Sequence, residues 1–145
     1  MIPFVNLKAQ YKEIKQEMDA TIQNVIDNCM FVYGKPCKEF EENFAASCGK
    51  SFCVGCSNGT TALELALWAY GISHGDEVIV PTHTFIATAE AVSNLGGVPV
   101  FADIEEKTFT IDPVDIERKI TPRTKAILPV HLYGHPADME RIAEI

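Results

Sequence analysis

EVIVPTHTFIATAEAVSNLGGVPVFA, residues 77–102, is the stretch from which the fold can be read. Glu77–Val80 is a short apolar run closed by Pro81, and Val98–Ala102 is a second. Between them Phe85–Leu95 has helical spacing and is closed by Gly96-Gly97. A strand, a helix and a strand in so few residues make a βαβ unit with parallel strands. Runs such as VIV, VPVFA and AILPV are continuously apolar, which predicts strands covered on both faces.

The same alternation continues outward. Ser51–Cys56 reads as a strand and Thr60–Tyr70 as a helix ending at Gly71. Downstream, Pro113–Ile120 reads as a short helix with Asp112 as N-cap and Pro113 at N1, Lys125–Val130 as a strand and Ala137–Ile145 as a helix. Before Gly49 the pattern is all helical. Tyr11, Ile14, Met18, Ile22, Val25 and Ile26 form one stripe over Lys8–Cys29, a helix expected to pack on something. Phe31–Pro36 breaks it, and Cys37–Cys48 resumes helical spacing, with Gly49 as C-cap. The expected fold is α/β: a mostly parallel sheet with flanking helices, preceded by an N-terminal helical segment. Residues 1–48 read as the helical arm and 49–145 as a partial α/β domain. The last helix has no capping glycine and no strand after it, so the architecture reads as cut off there.

Composition narrows the function classes. The chain has 145 residues, 12 Lys+Arg against 20 Asp+Glu, a net charge of −8 and 47% hydrophobic residues. That much apolar content predicts a packed core. An acidic balance without a Lys/Arg cluster argues against nucleic acid and against an anionic membrane surface. The start, MIPFVNLKAQYKEIK, lacks a basic region before an apolar stretch, and no 18 apolar residues run together, so a cytoplasmic location is expected. The five cysteines would then stay thiols.

Two segments are placed for chemistry. Cys56-Ser57-Asn58-Gly59-Thr60-Thr61-Ala62-Leu63 lies where a strand gives way to a helix, so free N–H groups, hydroxyls and the positive helix end converge on an anion site suited to phosphate. It is neither a GxGxxG fingerprint nor a GxxxxGK[ST] loop, and an ordinary helix cap is the competing reading. Pro81-Thr82-His83-Thr84-Phe85-Ile86-Ala87-Thr88 follows the next strand, and both loops should face one crevice at the carboxyl ends of the strands. There Phe85 could cover a flat cofactor, unless it is a core-facing helix residue.

Other constellations are weaker. Cys48-x4-Cys53-x2-Cys56 has the spacing of three plant-type [2Fe–2S] ligands, but no cysteine follows to complete the set. Cys53-x2-Cys56 as a redox couple should open a helix, whereas it is read here within a strand. His131-x3-His135 has metal-ligand spacing only if helical, and Gly134 and Pro136 make it a turn, so loop histidines near the crevice are expected. Glu41-Glu42 and Glu105-Glu106 read as a solvated helix face and a surface turn, without a role in chemistry. No metal site is expected.

The stretches GCSNGTTALELALWAYGISHGDEVIVPTHTFIATAEAV, PVFADIEEKTFTIDP and ITPRTKAILPVHLYGHPADM, in that order, resemble the N-terminal half of the large domain of nucleotide-sugar aminotransferases. These are the DegT/StrS group of fold type I pyridoxal-phosphate enzymes. IPFVNLKAQY and FVYGKPCKEFEENFA resemble the family's N-terminal arm and first helices, so the likeness covers essentially the whole chain.

The resemblance implies pyridoxal phosphate as cofactor, with Gly59 and Thr60 on its phosphate and Phe85 stacked on its pyridine ring. It also implies a homodimer, with Phe31–Gly34 bordering a partner subunit's sugar site. The substrates would be a nucleotide-linked keto-sugar and an amino-acid donor, usually glutamate. The family's acidic partner of the pyridine nitrogen and its Schiff-base lysine come later in the pattern than Ile145, and none of the nine lysines here matches the latter. No catalytic residue is therefore expected in this chain, which should be inactive alone. A sugar dehydratase of the same fold and a non-catalytic truncated chain are the alternatives.

Overall fold

A computed structural model describes residues 3–145. Met1 and Ile2, the first residues of the expected arm, lie outside the described residues. The chain forms two compact units, one ending at Gly55 and one spanning Cys56–Ile145.

The first unit is built on two helices. Helix α1, Leu7–Asp27, starts where the Asn6 side chain accepts the Ala9 N–H at 3.1 Å. It carries the expected apolar stripe, yet Tyr11, Ile14, Met18, Ile22 and Ile26 stay largely exposed, so the expected packing of this face is not met among the described residues. Helix α2, Lys35–Ser47, begins earlier than the spacing suggests. Pro36 falls in its first turn, where a missing N–H costs nothing, so the proline starts the helix instead of ending a break. At its far end Gly49 has φ +63°, the Gly49 N–H donates to Ala46 and the Lys50 N–H to Ala45, the geometry expected of a C-terminal glycine.

Ser51–Cys56 forms no strand. A strand exists only through a ladder, and among the described residues nothing pairs with this one; Phe52 and Val54 are exposed. The segment is held instead through Glu41, whose carboxylate accepts the Gly55 N–H at 2.7 Å and the Tyr33 hydroxyl. These two donors hold the Glu41 carboxyl below the usual glutamate range, the tyrosine first. Glu41, read as part of a solvated face, is thus a structural anchor.

The second unit holds α3 (Gly59–Ala69), β1 (Glu77–Pro81), α4 (Ala87–Asn94), β2 (Val98–Ala102), α5 (Pro113–Lys119), β3 (Thr124–Ile127) and α6 (Met139–Glu144). The three strands form a parallel sheet in the order β2-β1-β3. Val78 and Val80 point to one face, where they pack with Leu67 of α3 and Ala91 and Val92 of α4. Ile79 points to the other, against Ile116 of α5 and Ile142 of α6. Only β1 is buried along its whole length; Val98 and Phe101 of β2 are about half exposed, contrary to the expectation of cover on both faces.

Three boundaries shift for identifiable reasons. Helix α4 starts at Ala87, leaving Phe85 outside it. Strand β3 stops early: Leu128 donates to the Ile79 carbonyl, and the register then sets Pro129 against Pro81, neither of which has an N–H. Helix α6 waits until Met139 because Asp138 accepts the Arg141 N–H and caps it there. Asp112 accepts the Val114 N–H at 2.9 Å with Pro113 in the first turn, as the sequence predicts for α5.

Candidate functional site

The strand order creates a switch point. From β1 the chain runs through α4 to β2 over the face of Val78 and Val80; from β2 it returns past β1 through α5, over the face of Ile79, to β3. The connections therefore diverge at the carboxyl end of β1, where open α/β sheets bind ligands. Helices α3 and α4 pack together, and the Gly75 N–H that leads into β1 donates to the Gly96 carbonyl that leads into β2. Their C-terminal ends thus meet at the amino edge of the sheet, and both N-termini lie at the opposite, carboxyl edge.

The start of α3 is an incompletely satisfied helix terminus. Asn58 accepts the Thr61 N–H at 2.9 Å and donates to the Ser57 hydroxyl at 3.2 Å, while the Ser57 and Thr61 hydroxyls lie 3.1 Å apart. The cap is therefore real, but it serves only the third residue of the helix. Among the described residues the Gly59 and Thr60 amides and the Thr60 hydroxyl have no partner. A Cβ at Gly59 would meet nothing within 4 Å, so the ground in front of these donors is open. Two free amides, a hydroxyl and a positive helix end fit an anionic group such as a phosphate.

Phe85 stands at the start of the neighbouring helix. It precedes α4 and is 75% exposed, so it is not the core-facing helix residue that is the alternative for an aromatic at this spacing. Its carbonyl accepts the Thr88 N–H, and the Thr84 and Thr88 hydroxyls lie 2.9 Å apart, which anchors the backbone while the ring stays free to cover a flat partner.

The histidine pair lies after β3, in a loop with a single 3-10 turn at Leu132–Gly134. His131 Nδ1 accepts the Ala137 N–H at 3.0 Å, so that ring is committed to its own loop. Sequence reasoning missed the company His83 keeps. Its ring approaches those of Phe109 and Tyr133, which come from the loops following β2 and β3. Aromatic residues in loops carry no periodic signal, and no local spacing joins positions so far apart.

Cys56 donates its thiol to the Asn58 carbonyl at 3.4 Å. The Cys53-x2-Cys56 pair lies in no strand, and it opens no helix either, since α3 begins at Gly59. Among the described residues no group of three His, Cys, Asp or Glu side chains could hold a metal ion, and no helix is long and apolar enough to cross a membrane.

Comparison with known proteins adds to this geometry. The family model described as DegT/DnrJ/EryC1/StrS aminotransferase family matches residues 12–145. The chain is 49% identical over 144 residues to the dTDP-3-amino-3,4,6-trideoxy-alpha-D-glucose transaminase of Streptomyces venezuelae, covering 99% of this chain and 38% of that protein. It is 46% identical over 145 residues to the UDP-2-acetamido-2-deoxy-3-oxo-D-glucuronate aminotransferase of Pseudomonas aeruginosa, covering 100% of this chain and 40% of that one. The crystal structure of NtdA from Bacillus subtilis with bound cofactor PMP matches with a TM-score of 0.93 at 39% identity, over 99% of this chain and 33% of that one. This chain thus spans about two-fifths of the length of the curated relatives it matches.

Proposed function

This chain belongs to the DegT/DnrJ/EryC1/StrS aminotransferase family, and we propose that the whole protein transfers an amino group from an amino acid, glutamate foremost, to the keto group of a nucleotide-linked sugar. The cofactor is pyridoxal phosphate, which when bound supplies the electron sink for this chemistry. Residues 49–145 are part of its binding domain and residues 1–48 the N-terminal arm. The protein acts in the cytoplasm as a homodimer.

The observation that carries the reading is the pairing, at one end of one sheet, of donors at Gly59 and Thr60 that have no partner among the described residues with the exposed ring of Phe85. The Gly59 and Thr60 amides and the Thr60 hydroxyl hold the phosphate dianion, and the helix end favours its charge. Phe85 lies against the pyridine ring and keeps water from that face. The lysine that carries the cofactor belongs to the remainder of the whole protein. Lys125, the lysine nearest the sheet core, pairs with Asp76 at the amino edge of the sheet, the wrong end for the task.

The test is to give the whole protein pyridoxal phosphate, 15N-glutamate and a panel of nucleotide-linked keto-sugars, and to follow the label by NMR. Label on the sugar supports the reading. Loss of water from the sugar without transfer of label would make the protein a dehydratase instead.

A further inference from the structure

Each of the three loops at the carboxyl edge of the sheet contributes one ring to a cluster: His83 after β1, Phe109 after β2 and Tyr133 after β3. The centroids lie 6.0 Å apart for His83 and Tyr133, 6.3 Å for His83 and Phe109, and 6.5 Å for Phe109 and Tyr133. These are separations of interacting aromatic pairs. His83 Nε2 and the Tyr133 hydroxyl are within hydrogen-bonding distance at 3.1 Å.

Core packing does not account for the cluster, since Phe109 is 48% and Tyr133 79% exposed. Both also sit on left-handed backbone, Phe109 at φ +59° and Tyr133 at φ +55°. Bulky residues adopt that conformation at a cost and keep it where their surroundings demand it, most often at functional sites.

The geometry points to Tyr133 as a positioning residue that acts through His83 on Phe85. His83 is two residues before Phe85, and the segment is tied by Tyr133 at His83, by the Thr84–Thr88 hydroxyl pair and by the Thr88 N–H that the Phe85 carbonyl accepts. Held this way, the backbone that carries the Phe85 ring is set in place before a cofactor arrives, so binding does not have to order the loop. This rests on the reading of Phe85 as the residue that covers the pyridine ring.

The test uses the whole protein with Y133F, H83L, H83Q and the Y133F/H83L double variant. Y133F removes only a hydroxyl, and H83Q keeps a polar group near the position of Nε2. Y133F and H83L should each raise the Kd for pyridoxal phosphate about three- to tenfold, the scale of one neutral hydrogen bond. Both should leave the affinity for inorganic phosphate alone and speed hydrogen exchange at residues 82–86 in the cofactor-free protein. The double variant should be no worse than either single change, because both break one tie. H83Q should stay near the wild type. Additive losses, or a Y133F protein with unchanged exchange and affinity beside a weakened Phe85→Ala, would overturn the positioning role alone. A Phe85→Ala protein that binds pyridoxal phosphate as tightly as the wild type would overturn the reading of Phe85, and this proposal with it.

Discussion

Thr60 carries both a backbone and a side-chain donor without partners among the described residues, which makes it the residue on which the proposed phosphate site turns. Thr60→Val keeps the shape and the amide but removes one hydrogen bond to a dianion. Such bonds contribute about 1.5–3 kcal/mol, so cofactor affinity of the whole protein should fall by about one to two orders of magnitude. Phe85→Ala should weaken pyridoxal phosphate as well, through loss of ring contact. Inorganic phosphate separates the two in a competition titration: its affinity should drop for Thr60→Val and hold for Phe85→Ala. Equal phosphate affinity in the wild type and Thr60→Val would mean that Asn58 caps an ordinary helix and nothing more. At this scale the cap was legible, because Ser-Asn-Gly-Thr at a helix start is a capping sequence. Only the folded structure shows that the cap leaves Gly59 and Thr60 unserved among the described residues. Glu41 was illegible for the opposite reason, since its partners Tyr33 and Gly55 lie outside its helix.

Strand β1 is the element that the second unit is built around, and its first residue is a buried glutamate. The Glu77 carboxylate accepts from the Thr121 hydroxyl and from Arg123, whose Nε lies at 2.9 Å, so the segment entering β3 is fastened to β1. The Thr121 hydroxyl first, and Arg123 after it, hold the Glu77 carboxyl below the usual glutamate range. A lowered carboxyl pKa contributes stability that is complete above the ordinary value and is lost as pH falls through the lowered one. Glu77→Gln should therefore lower Tm by several degrees near neutrality, and the gap to the wild type should close as the pH drops below about 4. Thermal melts over a pH series check this, and a gap that stayed constant with pH would contradict it. The strands were readable as apolar runs, but a run does not state its neighbours. Val98–Ala102 finds β1 and becomes a strand as expected, while Ser51–Cys56 finds no ladder among the described residues. Helix α4 illustrates a second ambiguity: Phe85 continues the helical spacing, so an exposed ring just before the helix looks the same in the sequence as one turned toward the core.

At the scale of the whole molecule the proposed function assigns the Schiff-base lysine to the part of the protein beyond these 145 residues. Pyridoxal phosphate added to the 145-residue chain and reduced with borohydride should label no single lysine stoichiometrically, as mass spectrometry would show; one fully labelled lysine would overturn the assignment of that role to the rest of the protein. The topology was legible because β1, α4 and β2 follow one another within residues 77–102, and the βαβ unit sets the sheet direction. The aromatic cluster was not, because it forms only when three loops meet at one edge. The most direct measurement is a crystal structure of the whole protein with pyridoxal phosphate. The account predicts the phosphate within hydrogen-bonding distance of the Gly59 and Thr60 amides and the Thr60 hydroxyl, with the Phe85 ring on the pyridine. A phosphate bound elsewhere, with the start of α3 facing solvent, would contradict it.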